Sequence, residues 1–98
     1  MQFSVRVTEY QKNMMLNICD AELLGKKIIQ DELIIHISEG YYGEKLVEKE
    51  EAINLLKQSS IINMAGKETV SLSIDLGVGS ENGVKTISGI PFLIIFNM

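Results

Sequence analysis

The chain has 98 residues, of which 46% are hydrophobic and 22% are charged. This size and composition are those of one globular domain, so we treat residues 1–98 as a single domain and exclude a disordered chain. One Pro and one Cys exclude proline-rich and disulfide-stapled architectures, and a net charge of -4 with a single Arg argues against nucleic-acid binding by broad electrostatic attraction.

No basic segment followed by an apolar stretch opens the sequence, as it would in a signal peptide. The longest apolar run, Phe92 to Phe96, is far shorter than the ~20 residues that cross a bilayer. We therefore expect a cytoplasmic protein with no membrane partner.

The first half of the chain alternates between strand and helix patterns. Apolar residues recur at every second position over 3–7 and 14–18, which predicts two strands joined in a hairpin. Asp20 is expected to cap a helix that runs from about Ala21 to Ile29. An almost continuous apolar segment over 33–37 then predicts a strand in the interior of a sheet.

The second half begins with a helix over 48–57, which has acidic residues at its start and a lysine at its end. A short buried segment over 61–65 follows. Val70 to Leu76 alternates like a strand, yet the flanking residues resemble helix limits, so periodicity alone leaves this segment open. The segments 84–87 and 92–96 are expected to form a final hairpin.

These elements predict an α+β fold with the order β-β-α-β-α-α-β-β. We expect a small mixed or antiparallel sheet of about five strands, with two to three helices mainly on one face.

Two residues are weak candidates for catalysis. Cys19 lies where a strand meets a predicted helix start, a position that favours a thiolate, although a free Cys is more commonly a buried apolar residue. His36 is the only His, so any base for a thiol nucleophile must be this residue. One His and one Cys do not make a zinc site, and we expect no metal and no cofactor.

The block Asn17-Ile18-Cys19-Asp20-Ala21-Glu22-Leu23-Leu24-Gly25-Lys26 resembles a small archaeal family that forms a domain of unknown function. The resemblance extends over nearly the whole chain, through the segments 42–44, 50–52, 63–66 and 89–91. It implies an archaeal protein with no established activity, and a helix over 70–76. Members often carry a His after the Pro that matches Pro91; Phe92 stands there in this chain, which argues against catalysis at that position.

The resemblance also implies an association with translation, because the genes of this family often lie near those of the translation apparatus. The leading hypothesis is therefore a non-catalytic binding module that serves translation or RNA metabolism, with the ribosome, RNA or a translation factor as partner. The predicted binding residues are polar or aromatic positions of the matching blocks: Asn17, Asp20, Lys26, Tyr42, Asn63 and Lys67. The alternatives are a small enzyme or redox protein that uses Cys19, and a homo-oligomer, such as a homodimer, whose sheet edges pair.

Overall fold

A six-stranded mixed sheet forms the centre of the fold, and a separate two-stranded hairpin packs on one of its faces. The computed structural model describes residues 1–96, apart from the side chain of Tyr10. The strands are β1 (Gln2–Tyr10), β2 (Asn13–Asp20), β3 (Lys27–Gln30), β4 (Leu33–His36), β5 (Lys45–Glu48), β6 (Ile61–Ala65), β7 (Lys85–Ile87) and β8 (Ile90–Phe96). The helices are α1 (Glu39–Tyr42), α2 (Lys49–Gln58) and α3 (Lys67–Asp75), with 3-10 turns at Ala21–Leu23 and Glu81–Gly83.

The order of strands in the sheet is β5-β1-β2-β6-β8-β7, and β3 pairs with β4 alone. Strands β2 and β6 are parallel, whereas every other pair is antiparallel. The two parallel strands lie at the centre of the sheet, and their carboxyl ends meet where Cys19 pairs with Ala65.

One face of the sheet, called here the helix face, carries the main core. Alternate residues such as Phe3, Leu16 and Ile62 are at most 1% exposed and pack with α2 and α3 through Leu56 and Val70. Burying one such side chain contributes about 1.5–3 kcal/mol, so this face supplies most of the apolar stabilisation.

The opposite face, called here the hairpin face, is only half covered. At one end, Ile28, Ile37 and Tyr42 from the hairpin and α1 pack over Cys19 and Ala65. The other end, called here the open half, is left uncovered. It consists of Arg6, Met15, Asn63, Ile94 and Phe96, which are half-buried or exposed.

The predicted helix over 21–29 is wrong. The chain makes a single 3-10 turn over Ala21–Leu23, and Gly25 follows it with a φ of +88°. Lys27–Gln30 then forms strand β3. The N–H of Gly25 donates to the carbonyl of Ile37 at 2.6 Å, and Ile28 pairs with Ile35. Pairing of β-branched residues across the hairpin therefore overrides the weak helical signal.

Two further expectations about strands are corrected. The segment 33–37 does not lie inside a sheet, because β4 belongs to the two-stranded hairpin and Ile34 is 62% exposed. The segment 61–65 is the central strand β6, which the predicted order omitted. The α+β class is confirmed, but the predicted sheet of about five strands is wrong: the described residues form eight strands, six in one mixed sheet and two in the hairpin, with three helices. The segment 70–76 lies in α3 except for its last residue.

Asp20 caps a helix, but not the one predicted. Its side chain makes no cap hydrogen bond to the turn that follows it. Instead, the N–H of Glu68 donates to Oδ2 at 3.1 Å, and the N–H and hydroxyl of Thr69 both donate to Oδ1 at 2.8 Å. Asp20 is 4% exposed. Its carboxylate accepts hydrogen bonds from the N–H groups in the first turn of α3, although Glu68 lies 48 positions later in the sequence.

Gly66 makes room for this remote cap. It occupies the position before α3 with φ +112°, and a Cβ atom there would collide with the Asp20 carboxylate. Since Gly66 has no side chain to cap the helix itself, the carboxylate of Asp20 takes over that task.

We expect Asp20→Ala to lower the free energy of unfolding by about 2–4 kcal/mol, because it leaves three donors of α3 without their acceptor in a buried place. Asp20→Asn should cost about 1–3 kcal/mol, since its amide group would face the N–H of Glu68 or the donors of Thr69. Urea denaturation measures both changes. Glu22→Gln, at an exposed neighbouring position, is the control and should change stability by less than about 0.5 kcal/mol. Equal stability of Asp20→Asn and the unmodified chain would contradict the remote cap.

Candidate functional site

A row of side chains crosses the hairpin face at the border of its open half. Strand pairing aligns Arg6 with Asn17, Asn17 with Asn63, and Asn63 with Ile94. The Nδ2 of Asn63 donates to the Oδ1 of Asn17 at 2.7 Å, and the Nδ2 of Asn17 donates to the carbonyl of Tyr41 at 3.0 Å. Asn17 is 2% exposed, so it is a structural link that fastens α1 to the sheet.

An apolar groove lies next to this row. Its volume is about 290 Å³, and its lining includes Tyr41, Asn63, Lys85, Phe92 and Ile94. The Nδ2 of Asn63 is engaged by Asn17 and, at 3.4 Å, by the hydroxyl of Tyr41. Its Oδ1 accepts no hydrogen bond within residues 1–96, so the groove contains a free amide oxygen in apolar surroundings.

Exposed apolar side chains and the guanidinium of Arg6 lie on the same face of the sheet as the groove. Phe96 is 70% exposed, Ile94 61% and Tyr41 47%. The ring of Tyr41 meets that of Tyr42 edge-on, with centroids 5.2 Å apart. Arg6 forms no ion pair or hydrogen bond through its guanidinium with any residue that the structure describes. This part of the surface combines stacking area, a hydrogen-bond acceptor and positive charge.

A larger groove of about 430 Å³ runs along α3, between Lys67, Ile74, Asp75 and Glu81. It is wide open, and its carboxylates and lysine are solvated. It lacks an exposed aromatic ring, and we regard the hairpin-face groove as the better candidate for binding.

The predicted binding residues divide into three groups. Asn17 and Asn63 come together as described above. Asp20 and Tyr42 are buried in structural roles, and burial raises the pKa of the Tyr42 phenol to about 12. Lys26 and Lys67 are exposed, on the loop before β3 and at the start of α3 respectively.

The two weak catalytic candidates lie in different environments. Cys19 is fully buried between Ala65 and the hairpin, and desolvation together with the nearby Asp20 and Glu22 raises the pKa of its thiol to about 12. His36 is exposed on β4, where it pairs with Lys27. The thiol is thus protonated at neutral pH and has no base as a partner among the described residues.

Among residues 1–96, no group of three or more His, Cys, Asp or Glu side chains is placed to hold a metal ion. No helix in that range is long and apolar enough to cross a bilayer.

Sequence reasoning selected neither Arg6 nor Phe96, and it singled out Tyr41 only as part of a loop. The exposure of these residues depends on how far the hairpin extends over the sheet, which no local pattern reveals. One signal was available: Arg6 is the only Arg of the chain, and it interrupts a strand between two apolar residues.

We expect the free energy of unfolding to decrease as the pH rises from about 9 to 12. In the unfolded chain the Cys19 thiol and the Tyr42 phenol have pKa values near 9.0 and 10.0, whereas both pKa values are raised to about 12 in the folded protein. Protonated groups favour the folded state, so this contribution is complete below pH 9 and is lost above it. Denaturation midpoints across this range measure the effect, and Cys19→Ala should remove the thiol's part of it.

Cys19 should also resist a thiol reagent at neutral pH until the protein unfolds, because a buried protonated thiol is unreactive. A native-state reaction as fast as that of a free thiol would contradict this prediction and revive the redox alternative.

The profile of a family described as a protein of unknown function (DUF424) matches residues 8–98. No curated protein matches the chain. Among solved structures, the fold is similar to that of an uncharacterized conserved protein from Methanopyrus kandleri, with a TM-score of 0.84 and 21% sequence identity. That likeness covers 100% of this chain and 93% of the other, and it supports the fold alone. Since the family profile covers almost the entire sequence, the chain belongs to the DUF424 family of proteins of unknown function.

Proposed function

We propose that this protein is a non-catalytic binding module that holds single-stranded RNA on the open half of the hairpin face. The observation that carries the proposal is the groove lined by Asn63 and the exposed Tyr41, where an amide oxygen accepts no hydrogen bond from residues 1–96. Such modules recognise splayed bases by stacking them on aromatic side chains and by hydrogen bonds to the base edges.

The aromatic rings supply the contacts to bases. Tyr41 lines the groove, and Phe96 lies in the open half. Each ring presents a large exposed area. Stacking of one base on such a ring contributes about 1–3 kcal/mol. The Oδ1 of Asn63 would accept a hydrogen bond from an exocyclic amine or an imino N–H of a base seated in the groove.

Two cations flank this region. Arg6 on β1 and Lys85 on β7 are separated by four strand spacings, or about 19 Å across the sheet. A backbone that passes from one side of the groove to the other would place phosphates near both. Arg6, the only Arg of the chain, has no ion pair with a described residue, so its guanidinium is available for a phosphate contact.

The net charge of -4 sets the character of the binding. With about two phosphate contacts, the affinity for a single strand should fall only about sevenfold for a fourfold rise in salt. Stacking, not charge, then supplies most of the affinity. An association with the ribosome or a translation factor, suggested by the family resemblance, is the setting we propose for this weak, stacking-dominated contact.

Tyr41→Leu tests the stacking, because it keeps an apolar side chain and removes the ring. We expect the affinity for a fluorescent single-stranded RNA oligomer, measured by anisotropy at low salt, to fall by roughly fivefold to a hundredfold. Arg6→Gln should weaken binding less and reduce the salt slope by about 0.7.

Lys57→Gln is the matched control for Arg6→Gln, since it removes one positive charge at an exposed position of α2, on the helix face. It should leave the salt slope unchanged. Equal losses of RNA affinity in Arg6→Gln and Lys57→Gln would mean that RNA is attracted by charge without a defined site. Failure of the unmodified protein to bind RNA at low salt would refute the proposal in favour of a protein partner.

A further inference from the structure

The two outer sides of the six-stranded sheet differ in how their free backbone groups are protected. Strand β5 pairs only with residues 2–5 of β1, so in the described part of the chain residues 6–10 have β2 on one side and no strand on the other. On that free side the N–H of Val7 donates to the Oε1 of Glu44 at 3.4 Å, and Arg6 and Glu9 add charge. Charged side chains at an edge discourage pairing with another chain. This edge of the sheet is therefore protected against pairing with a strand of another chain.

The edge at β8 lacks such protection. Strand β7 pairs only with Ile90, Pro91 and Phe92. Within residues 1–96, residues 93–96 therefore have β6 on one side and no strand on the other. Neither a charged residue nor a proline occurs over 92–96. An uncharged apolar edge strand of this kind is a template for a further strand.

One hydrogen bond shows in which direction the backbone N–H and C=O groups of β8 point. The N–H of Gly66 donates to the carbonyl of Pro91 at 2.9 Å, so Pro91 points its polar backbone groups towards β6. Because these groups alternate along a strand, those of Ile94 and Phe96 point away from the sheet. Each of these two residues thus presents an N–H and a C=O at the edge that find no partner in the described part of the chain.

We propose that this edge pairs with the same edge of a second copy of the chain. With a two-fold axis at Ile95, Ile94 lies opposite Phe96 of the partner subunit, and Phe96 lies opposite the partner subunit's Ile94. Both members of each pair then have outward-pointing groups, which gives four backbone hydrogen bonds. An isologous contact of this kind needs a surface that is its own complement, and this strand has the matching register.

Side chains and charge also favour a second copy. Ile94 and Phe96 both project on the hairpin face, so the pairing brings a β-branched residue next to an aromatic ring in both cross-strand pairs. The pairing brings no like charges together, because residues 94–96 include no charged side chain. The two sheets become one continuous sheet whose open halves are neighbours.

The proposed contact is short, with two cross-strand pairs and four backbone hydrogen bonds, whereas stable complexes bury at least ~1,200 Å². We therefore expect a dimer that forms in the micromolar to millimolar range of protein concentration. Sedimentation equilibrium of the full chain, without RNA, should show the molecular mass rising from monomer to dimer over that range.

Two substitutions of the same residue test the edge. Ile94→Pro removes an outward N–H that makes no bond within the sheet, and Ile94→Lys adds a charge to the edge. Both should remain monomeric at concentrations at which the unmodified chain is dimeric. Ile34→Lys is the matched control, because Ile34 is as exposed as Ile94, at 62% against 61%, but lies on the hairpin β3–β4; it should dimerise normally.

Amide hydrogen exchange gives a second readout that needs no substitution. The amides of Ile94 and Phe96 should exchange more slowly as the protein concentration rises, while that of Ile34 should not. A chain that stays monomeric at millimolar concentration would overturn the proposal. So would a dimer that persists in Ile94→Lys and Ile94→Pro, or a loss of dimer equally large in Ile34→Lys.

Discussion

The hydrogen bonds from the first turn of α3 to the carboxylate of Asp20 link the two halves of the chain. Helix α3 begins after Gly66, which has no side chain for a cap, so its first N–H groups depend on a residue 48 positions earlier. The parallel pairing of β2 and β6 is what brings the two together, because both strands end at the same edge. The position of α3, and with it the burial of Val70 in the main core, depends on this contact.

The four residues 17–20 of β2 each serve a different part of the fold. Asn17 fastens α1, Ile18 fills the helix-face core, Cys19 fills the smaller core under the hairpin, and Asp20 caps α3. A strand at the centre of a sheet contacts neighbours on every side, and its alternating side chains reach both faces. All four roles are structural, and none of them involves catalysis.

Local patterns predicted what depends on local contacts: the β1–β2 hairpin, α2 and the β7–β8 hairpin. They failed at two places for different reasons. The segment 27–30 shows a weak helical signal but forms a tight hairpin in which Ile28 pairs with Ile35. The segment 61–65 is a central strand because β2 and β8, which are distant in the sequence, flank it. Asn17 and Asn63 were selected as polar residues of the blocks that resemble a known family, and their hydrogen bond to each other depends on the pairing of β2 with β6. The exposure of Phe96 follows only from the limited reach of the hairpin over the sheet.

The candidate surface is assembled before any ligand arrives. The Nδ2 of Asn17 donates to the backbone carbonyl of Tyr41, and its Oδ1 accepts from Asn63, so the backbone of Tyr41 and the amide of Asn63 are both positioned on the sheet. The ring of Tyr41 in turn contacts Tyr42 edge-on. Ordering side chains and loops at an interface costs about 0.5–1.5 kcal/mol for each mobile side chain, and a preformed surface avoids much of that cost. A small, acidic domain with few cations has most to gain from a preformed surface, because charge would contribute little to the binding proposed above. The pair Asn17 and Asn63 is therefore better understood as the support of the proposed binding surface than as a site in itself.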